Sequence, residues 1–220
     1  MLSKRELLEY YMRCLGAEYV HVENGGDFAI QRHGDIVYLL FQDSVGKEDW
    51  KNNFDFAAKP YKDMSIKWRC HRGFLRVWKS IEPYIKYIVE DKSVKRFIII
   101  GYSHGAAIAT LAHEYVWYNR PDLRYMNGEM PPKILGYGFG CPRVFFGRMK
   151  KELADRWQTF FPIRNVNDLI THLPPRIFGF RHVNEVVKVG DKKKMEKRFP
   201  ITCVSAHFPS NYVAALTEDR

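Results

Sequence analysis

No apolar run in these 220 residues approaches the roughly 20 residues needed to cross a bilayer as a helix. The clearest runs, Ile36 to Phe41 and Phe97 to Ile100, are the length of strands. Cysteine is sparse: Cys14, Cys70, Cys141 and Cys203 lie far apart, and none forms a C-x-x-C pair. That spacing excludes the usual zinc and thioredoxin-type motifs and leaves nothing that calls for a metal or cofactor. There is no internal repeat, no low-complexity tract and no linker rich in Pro, Ser or Gly, so the chain reads as one domain over residues 1–220. At the N-terminus, Glu6, Glu9 and Arg13 interrupt any apolar core of a signal peptide. Ser3-Lys4-Arg5-Glu6 reads instead as a capping box opening an amphipathic helix. With no such leader and no paired cysteines, the expectation is buried, reduced thiols and a cytoplasmic or cell-associated setting.

What is present is a core-forming composition with an excess of positive charge. Hydrophobic residues make up 46% and aromatics 15%, which places the chain among globular proteins rather than disordered ones. The net charge of +10 favours an anionic surface such as phospholipid. No interleaved aromatic motif of an RNA-binding sheet accompanies it, so nucleic acid is not an expected partner. The densest basic run is Lys192-Lys193-Lys194-Met195-Glu196-Lys197-Arg198. It reads first as a solvated hairpin loop, with a patch docking on an anionic membrane as the alternative.

Along the chain, residues 3 to 15 have a helical pattern. Phe28 to Arg32 and Ile36 to Phe41 read as strands joined by a tight turn, and residues 45 to 65 as irregular. Phe74 to Glu90 carries apolar residues at helical spacing, with Pro83 marking a candidate kink. Lys95 to Gly101 is a strand, His104 to Tyr118 a helix stopped at Asn119-Arg120-Pro121. Lys133 to Gly138 and Thr159 to Val166 are further strands, with a short helix at 147 to 155 between them. Val183 to Val189 and Phe199 to Cys203 read as an antiparallel hairpin, and a helix covers about 209 to 217. Alternating strands and helices imply an α/β layered fold with a mostly parallel central sheet and helices on both faces. In the hairpin reading the turn at Gly190 to Arg198 lies at the end of the sheet away from the functional loops. That would put Lys192 to Lys194 roughly 15 to 20 Å from Ser103.

The segment with the most chemistry in it is Gly101-Tyr102-Ser103-His104-Gly105. It has the form G-x-S-x-G, preceded by a β-branched apolar run and followed by an Ala-rich helical pattern. This is the strand, sharp turn and helix of a nucleophile elbow. A serine hydroxyl is a weak nucleophile and needs a base, oriented by an acid. On this type of fold the order along the chain is Ser, then Asp or Glu, then His. Asp168, in the loop after the strand Thr159 to Val166, is the best-placed acid; Asp155 falls in a helix and Asp191 in the basic turn. His207 follows a predicted strand and is the favoured base, with His182 as the alternative. An oxyanion needs donors where charge develops. The backbone N–H of His104, directly after the serine, is one. Ser44, in the loop after Phe41, could supply both its N–H and its hydroxyl as the other.

With these pieces in place, the chain resembles the class 3 lipase family of α/β-hydrolases from about residue 27 to 212. The family's strand-then-loop F-R-G with Ser or Thr, followed by D-W, is similar to Phe41-Gln42-Asp43-Ser44 and Asp49-Trp50. Its V-H-x-G-F is similar to Cys70-His71-Arg72-Gly73-Phe74, and its G-H-S-L-G-G-A elbow to Gly101 through Ala107. Its F-G-x-P-R-V matches Phe139 to Val144, its N-D-x-V-x-x-L-P-P resembles Asn167 to Pro175, and its late histidine with a following aromatic resembles His207 and Tyr212.

The resemblance implies a serine carboxylic-ester hydrolase, a lipase or esterase acting on a lipid or small-molecule ester. It implies Ser103 as nucleophile, Asp168 as orienting acid, His207 as base, and Ser44 and His104 as oxyanion donors. A catalytically silent binding module and an acyltransferase with the same triad are the rival readings. The chain departs from the family pattern at Gln42-Asp43, which replace Arg-Gly, at His104, which replaces Leu, and at Cys141. In the family the segment after the oxyanion loop forms a lid. Here Val45 to Asp55 offers only Val45, Trp50 and Phe54 as apolar side chains, so a soluble or phospholipid-like ester suits it as well as triacylglycerol.

Overall fold

The structure is a computed structural model that describes residues 3–22, 26–43, 58–61, 68–125, 131–191 and 205–217. A seven-stranded sheet forms its centre, in the order β1-β2-β3-β6-β7-β9-β11. These strands are β1 (Val20–Val22), β2 (Gly26–His33), β3 (Ile36–Asp43), β6 (Arg96–Tyr102), β7 (Ile134–Phe139), β9 (Phe160–Asn165) and β11 (Val187–Val189). The first three pair antiparallel, and every pairing from β3 to β11 is parallel. Parallel strands need crossovers, and the crossovers place helices on both faces. Helix α1 (Lys4–Leu15) and the last helix α5 (Pro209–Thr217) cover one face; α2 (Arg72–Glu90) and α3 (His104–Asn119) cover the other. The mostly parallel sheet with helices on both faces is the layered fold expected from the alternation of patterns, and the α/β-hydrolase arrangement the one the family resemblance implies.

Each long element forms for a reason visible in its residues. Ser3 caps α1 through a hydrogen bond from the Glu6 N–H, and Glu6 reaches back to the Ser3 N–H at 2.8 Å, a capping box. The apolar stripe of α2, from Phe74 through Trp78 and Ile81 to Ile88, is buried, and the helix runs through Pro83 without a break. β6 is buried on both faces because helices lie above and below it, which is why its sequence is a continuous β-branched run. α3 is buried almost all round, wedged between the sheet and α2, and its Ala-rich sequence allows that close packing. The buried Arg120 ends it. Its guanidinium donates to the carbonyls of Val89, Asp91 and Val94 and to Asp122, fastening the C-terminal ends of α2 and α3 together.

Three parts of the fold differ from the sequence reading. A second, antiparallel sheet, β10-β8-β5-β4, is built from β4 (Ala58–Tyr61), β5 (Trp68–His71), β8 (Phe145–Phe146) and β10 (Phe180–Arg181). β4 falls in a stretch read as irregular. The helix expected at 147 to 155 is a single turn, α4 (Lys151–Ala154), continued as a 3-10 turn to Trp157.

The strand expected at Val183 to Val189 is regular only over Val187–Val189, because Asn184 turns its amide onto the carbonyls of Trp157 and Phe160. That strand runs parallel to β9, with Val187 opposite Ile163. It therefore ends at the same edge of the sheet as β6, β7 and β9, not at the opposite edge as the hairpin reading required. Phe199 to Cys203 and Lys192 to Arg198 lie outside the described residues.

The elbow depends on two backbone approaches that leave no room for a side chain. A Cβ on Gly101 would lie 2.2 Å from the Gly105 carbonyl oxygen, and one on Gly105 would lie 2.3 Å from the Phe41 carbonyl oxygen. Gly105→Ala should accordingly destabilise the fold by at least about 1–3 kcal/mol, read by calorimetry as a melting midpoint lower by roughly 2–12 °C. An unchanged midpoint would contradict this account of the elbow.

Candidate active site

The parallel strands all point their C-terminal ends to one edge, where an α/β sheet gathers its functional loops. Ser103 follows β6 directly, at φ 56° and ψ −123°. It is the one non-glycine residue with positive φ among the described residues. Its N–H donates to the Phe139 carbonyl at 2.9 Å, which ties the turn to β7. Asp168 lies just beyond β9 and His207 just before α5.

These three residues, far apart in sequence, meet as a relay. Ser103 Oγ is 2.6 Å from His207 Nε2, and His207 Nδ1 is 2.8 Å from Asp168 Oδ2. Asp168 is buried and fully engaged: Oδ1 accepts from the Ile170 N–H at 2.9 Å, and Oδ2 also accepts from the Tyr212 hydroxyl at 2.6 Å. Such a carboxylate fixes the imidazole's orientation and leaves Nε2 to take a proton from the serine. Burial, and then the Asp168 charge, hold the Tyr212 hydroxyl well above its usual range, so it stays a donor.

His207 is held from two further sides. The Tyr102 hydroxyl donates to the His207 carbonyl at 2.5 Å, and the two rings stack with centroids 5.4 Å apart. On another side is Gly140, at φ 61°, where a Cβ would lie 2.8 Å from His207 Cε1. Sequence reasoning assigned no role to Tyr102, Gly140 or Tyr212, although all three sit inside the motifs it quoted. Their partners are remote in sequence, and spacing alone does not reveal them.

The alternative base, His182, is elsewhere: its Nε2 faces the Thr171 carbonyl at 3.0 Å, and burial lowers its pKa to about 4. Asp155 sits in the 3-10 turn after α4, and Asp191 lies beyond β11. His104 opens α3, so the positive end of that helix meets the serine. Its imidazole is buried against Phe74, and burial, then the neighbouring His71, lower its pKa to about 3, which keeps it neutral. Ser44, together with Asp49 and Trp50, lies outside the described residues. Cys141 is buried among Ala106, Thr110 and Pro142, and burial pushes its thiol up to about 12.

The family model for lipase (class 3) matches residues 38–178 of this sequence, well over half of the chain. The chain belongs to the class 3 lipase family. Among curated relatives, it is 28% identical over 152 residues to secreted mono- and diacylglycerol lipase 1 of Fusarium solani, covering 67% of this chain and 42% of that protein. It is 23% identical over 220 residues to phospholipase A1-IIgamma of Arabidopsis thaliana, covering 89% and 51%. The chain thus spans about half the length of these curated relatives. The solved structure of Rhizomucor miehei triacylglyceride lipase shares its fold, with a TM-score of 0.64 at 20% identity, over 86% of this chain and 81% of that one.

The cytoplasmic or cell-associated setting read from the sequence is corrected by these relatives. The Fusarium solani protein, and one from Malassezia globosa, are named as secreted lipases. Free thiols do not argue otherwise, because Cys14, Cys70 and Cys141 are all buried and a buried thiol survives in an oxidising compartment. No helix among the described residues is long and apolar enough to cross a membrane.

Two substitutions test the assembly of the relay. His207→Ala should lower kcat/KM by about 10⁴-fold or more, since members of such a relay act as a unit, whereas His182→Ala should cost less than about tenfold. The reverse order of damage would move the base to His182. Gly140→Ala should cost about 10²-fold by displacing the imidazole, and wild-type activity in that variant would show that Gly140 does not position it.

Proposed function

We propose that this chain is a serine carboxylic-ester hydrolase acting on lipid esters through an acyl-enzyme. The observation that carries the reading is the continuous contact from Ser103 Oγ to His207 Nε2 and from His207 Nδ1 to Asp168, at a strained elbow. Membership of the class 3 lipase family supports it, as do relatives named as lipases and as a phospholipase A1.

In this reading, Ser103 Oγ attacks the ester carbonyl while its proton passes to His207 Nε2. Negative charge develops on the carbonyl oxygen, where the N–H of His104 would donate to it, with Ser44 the second donor that the family resemblance implies. Asp168 offsets the positive charge on the imidazolium without itself taking the proton. As the tetrahedral intermediate collapses, the C–O bond to the alcohol breaks and His207 returns the proton to the leaving oxygen. A water then repeats the sequence against the acyl-Ser103 ester, releasing the acid and restoring the hydroxyl. Tyr212 and the Ile170 N–H hold the Asp168 carboxylate in place throughout. The physiological ester is a lipid whose head group the enzyme meets at an anionic membrane surface, in keeping with the net charge of +10.

A panel of p-nitrophenyl esters from acetate to palmitate, with a phospholipid and a triglyceride beside it, tests the proposal. Turnover of at least one class is expected, with Ser103→Ala lowering it by about 10⁴-fold or more while the melting midpoint holds. No turnover of any of them by the wild type, or a fully active Ser103→Ala, would overturn it.

A further inference from the structure

Next to the triad, on the same edge of the sheet, the structure gathers several basic side chains. Arg143 follows β7, Arg164 lies next to the end of β9, and His172 is four residues beyond Asp168. The His172 ring stands between the two arginines: Arg164 Nη1 is 2.8 Å from its Nε2, and Arg143 Nη2 is 3.4 Å from its Nδ1. A guanidinium only donates, and a neutral imidazole has one accepting nitrogen. The ring therefore cannot accept from both arginines, and one of the two contacts sets N–H against N–H.

The charges around it deepen the conflict. Burial, then Arg176 and Arg164, depress Arg143; burial, then Arg164 and Arg143, depress His172. Burial, then Arg143, depresses His182 as well, with Arg164 and His172 adding to it. Among the described residues, the carboxylate that acts on His172 is Asp168, whose two oxygens are already taken by Ile170, Tyr212 and His207. Arg143 has a structural use, donating to the carbonyls of His172 and Pro174. Arg164 reaches the His172 ring through Nη1, its buried Nε has no partner among the described residues, and Arg176 stands exposed.

Beside Arg176, in the same 3-10 turn, Ile177 and Phe178 are 86% and 56% exposed. Two large apolar side chains standing in water beside a set of guanidiniums make a surface whose two chemistries match one partner. An anionic bilayer offers phosphates to the arginines and an interfacial layer to the apolar pair.

We propose that Arg164 and Arg176, with Ile177 and Phe178, form the surface by which this protein docks on an anionic phospholipid bilayer. The guanidiniums take lipid phosphates, and the two apolar side chains enter the head-group layer. This rests on the reading of the chain as a lipid-ester hydrolase. It adds where the membrane sits: against the loop that carries Asp168, on the edge of the sheet that holds Ser103. The basic run at 192 to 198 is the competing surface.

Co-sedimentation with vesicles of phosphatidylcholine alone, and of phosphatidylcholine with 30 mol% phosphatidylglycerol, tests the docking at about 0.1 and 0.5 M NaCl. Wild type should sediment with the anionic vesicles, much less with the zwitterionic ones, and less in high salt. Arg164→Gln with Arg176→Gln should weaken partitioning at least about tenfold, and Ile177→Ser with Phe178→Ser should weaken it with the salt dependence retained. Melting midpoints check that each variant folds. If the arginine pair does not fold, Arg176→Gln alone, at an exposed site, carries the comparison.

Equal binding to both vesicle types would overturn the proposal, as would wild-type binding by the folded arginine variant. So would loss of binding only when the basic residues from Lys192 to Arg198 become Gln. Sedimentation does not require turnover. A wild type that hydrolyses p-nitrophenyl butyrate but ignores anionic vesicles defeats the docking alone, and one that binds but does not hydrolyse defeats the esterase reading alone.

Discussion

Ser103 holds a backbone conformation that costs a non-glycine residue about 1–3 kcal/mol, and the rest of the molecule is arranged so that it has no other choice. β6 enters between β3 and β7, and α3 leaves at once, pressed so close that the backbones of Gly101 and Gly105 nearly touch their neighbours. The Ser103 N–H is fixed to Phe139. Relaxing the turn would require moving α3 away from the sheet, and α3 is buried along most of its circumference. The strain is thus offset by the packing of a whole helix, and it delivers the hydroxyl to within 2.6 Å of an imidazole from the far end of the chain.

The same principle extends outward through tyrosines. Tyr212 reaches from α5 to Asp168, Tyr102 reaches from the elbow to the His207 carbonyl, and the Tyr11 ring from α1 packs against both at 5.8 and 5.6 Å. One face of the sheet therefore carries the tyrosines that hold Asp168 and His207, while the other carries the larger core of aliphatic and aromatic side chains against which the helix after Ser103 packs. The contact from Ser103 through His207 to Asp168 is thus supported from both faces of the sheet.

What the sequence disclosed was whatever is encoded locally. The elbow was legible because an apolar run, two glycines at fixed spacing and an Ala-rich helix are contiguous. Asp168 and His207 were legible because chain order and position after predicted strands narrow the choice. The second sheet was not, since β8 and β10 have two residues each and pair with segments tens of residues away, too short for any periodicity. The direction of β11 was misread because an alternating pattern carries no direction; the parallel pairing with β9 is set by the connection through Asn184. Tyr102 looked like an ordinary residue of the elbow because its partner is 105 residues further on.

The central claim is that Ser103 is chemically distinguished from every other serine by its elbow and its imidazole. Reaction with a fluorophosphonate probe, followed by mass spectrometry of the digested protein, tests it most directly. The account predicts a single phosphonylated site at Ser103, with labelling lost in His207→Ala. Modification of a different serine, or labelling of Ser103 that is indifferent to His207, would contradict it.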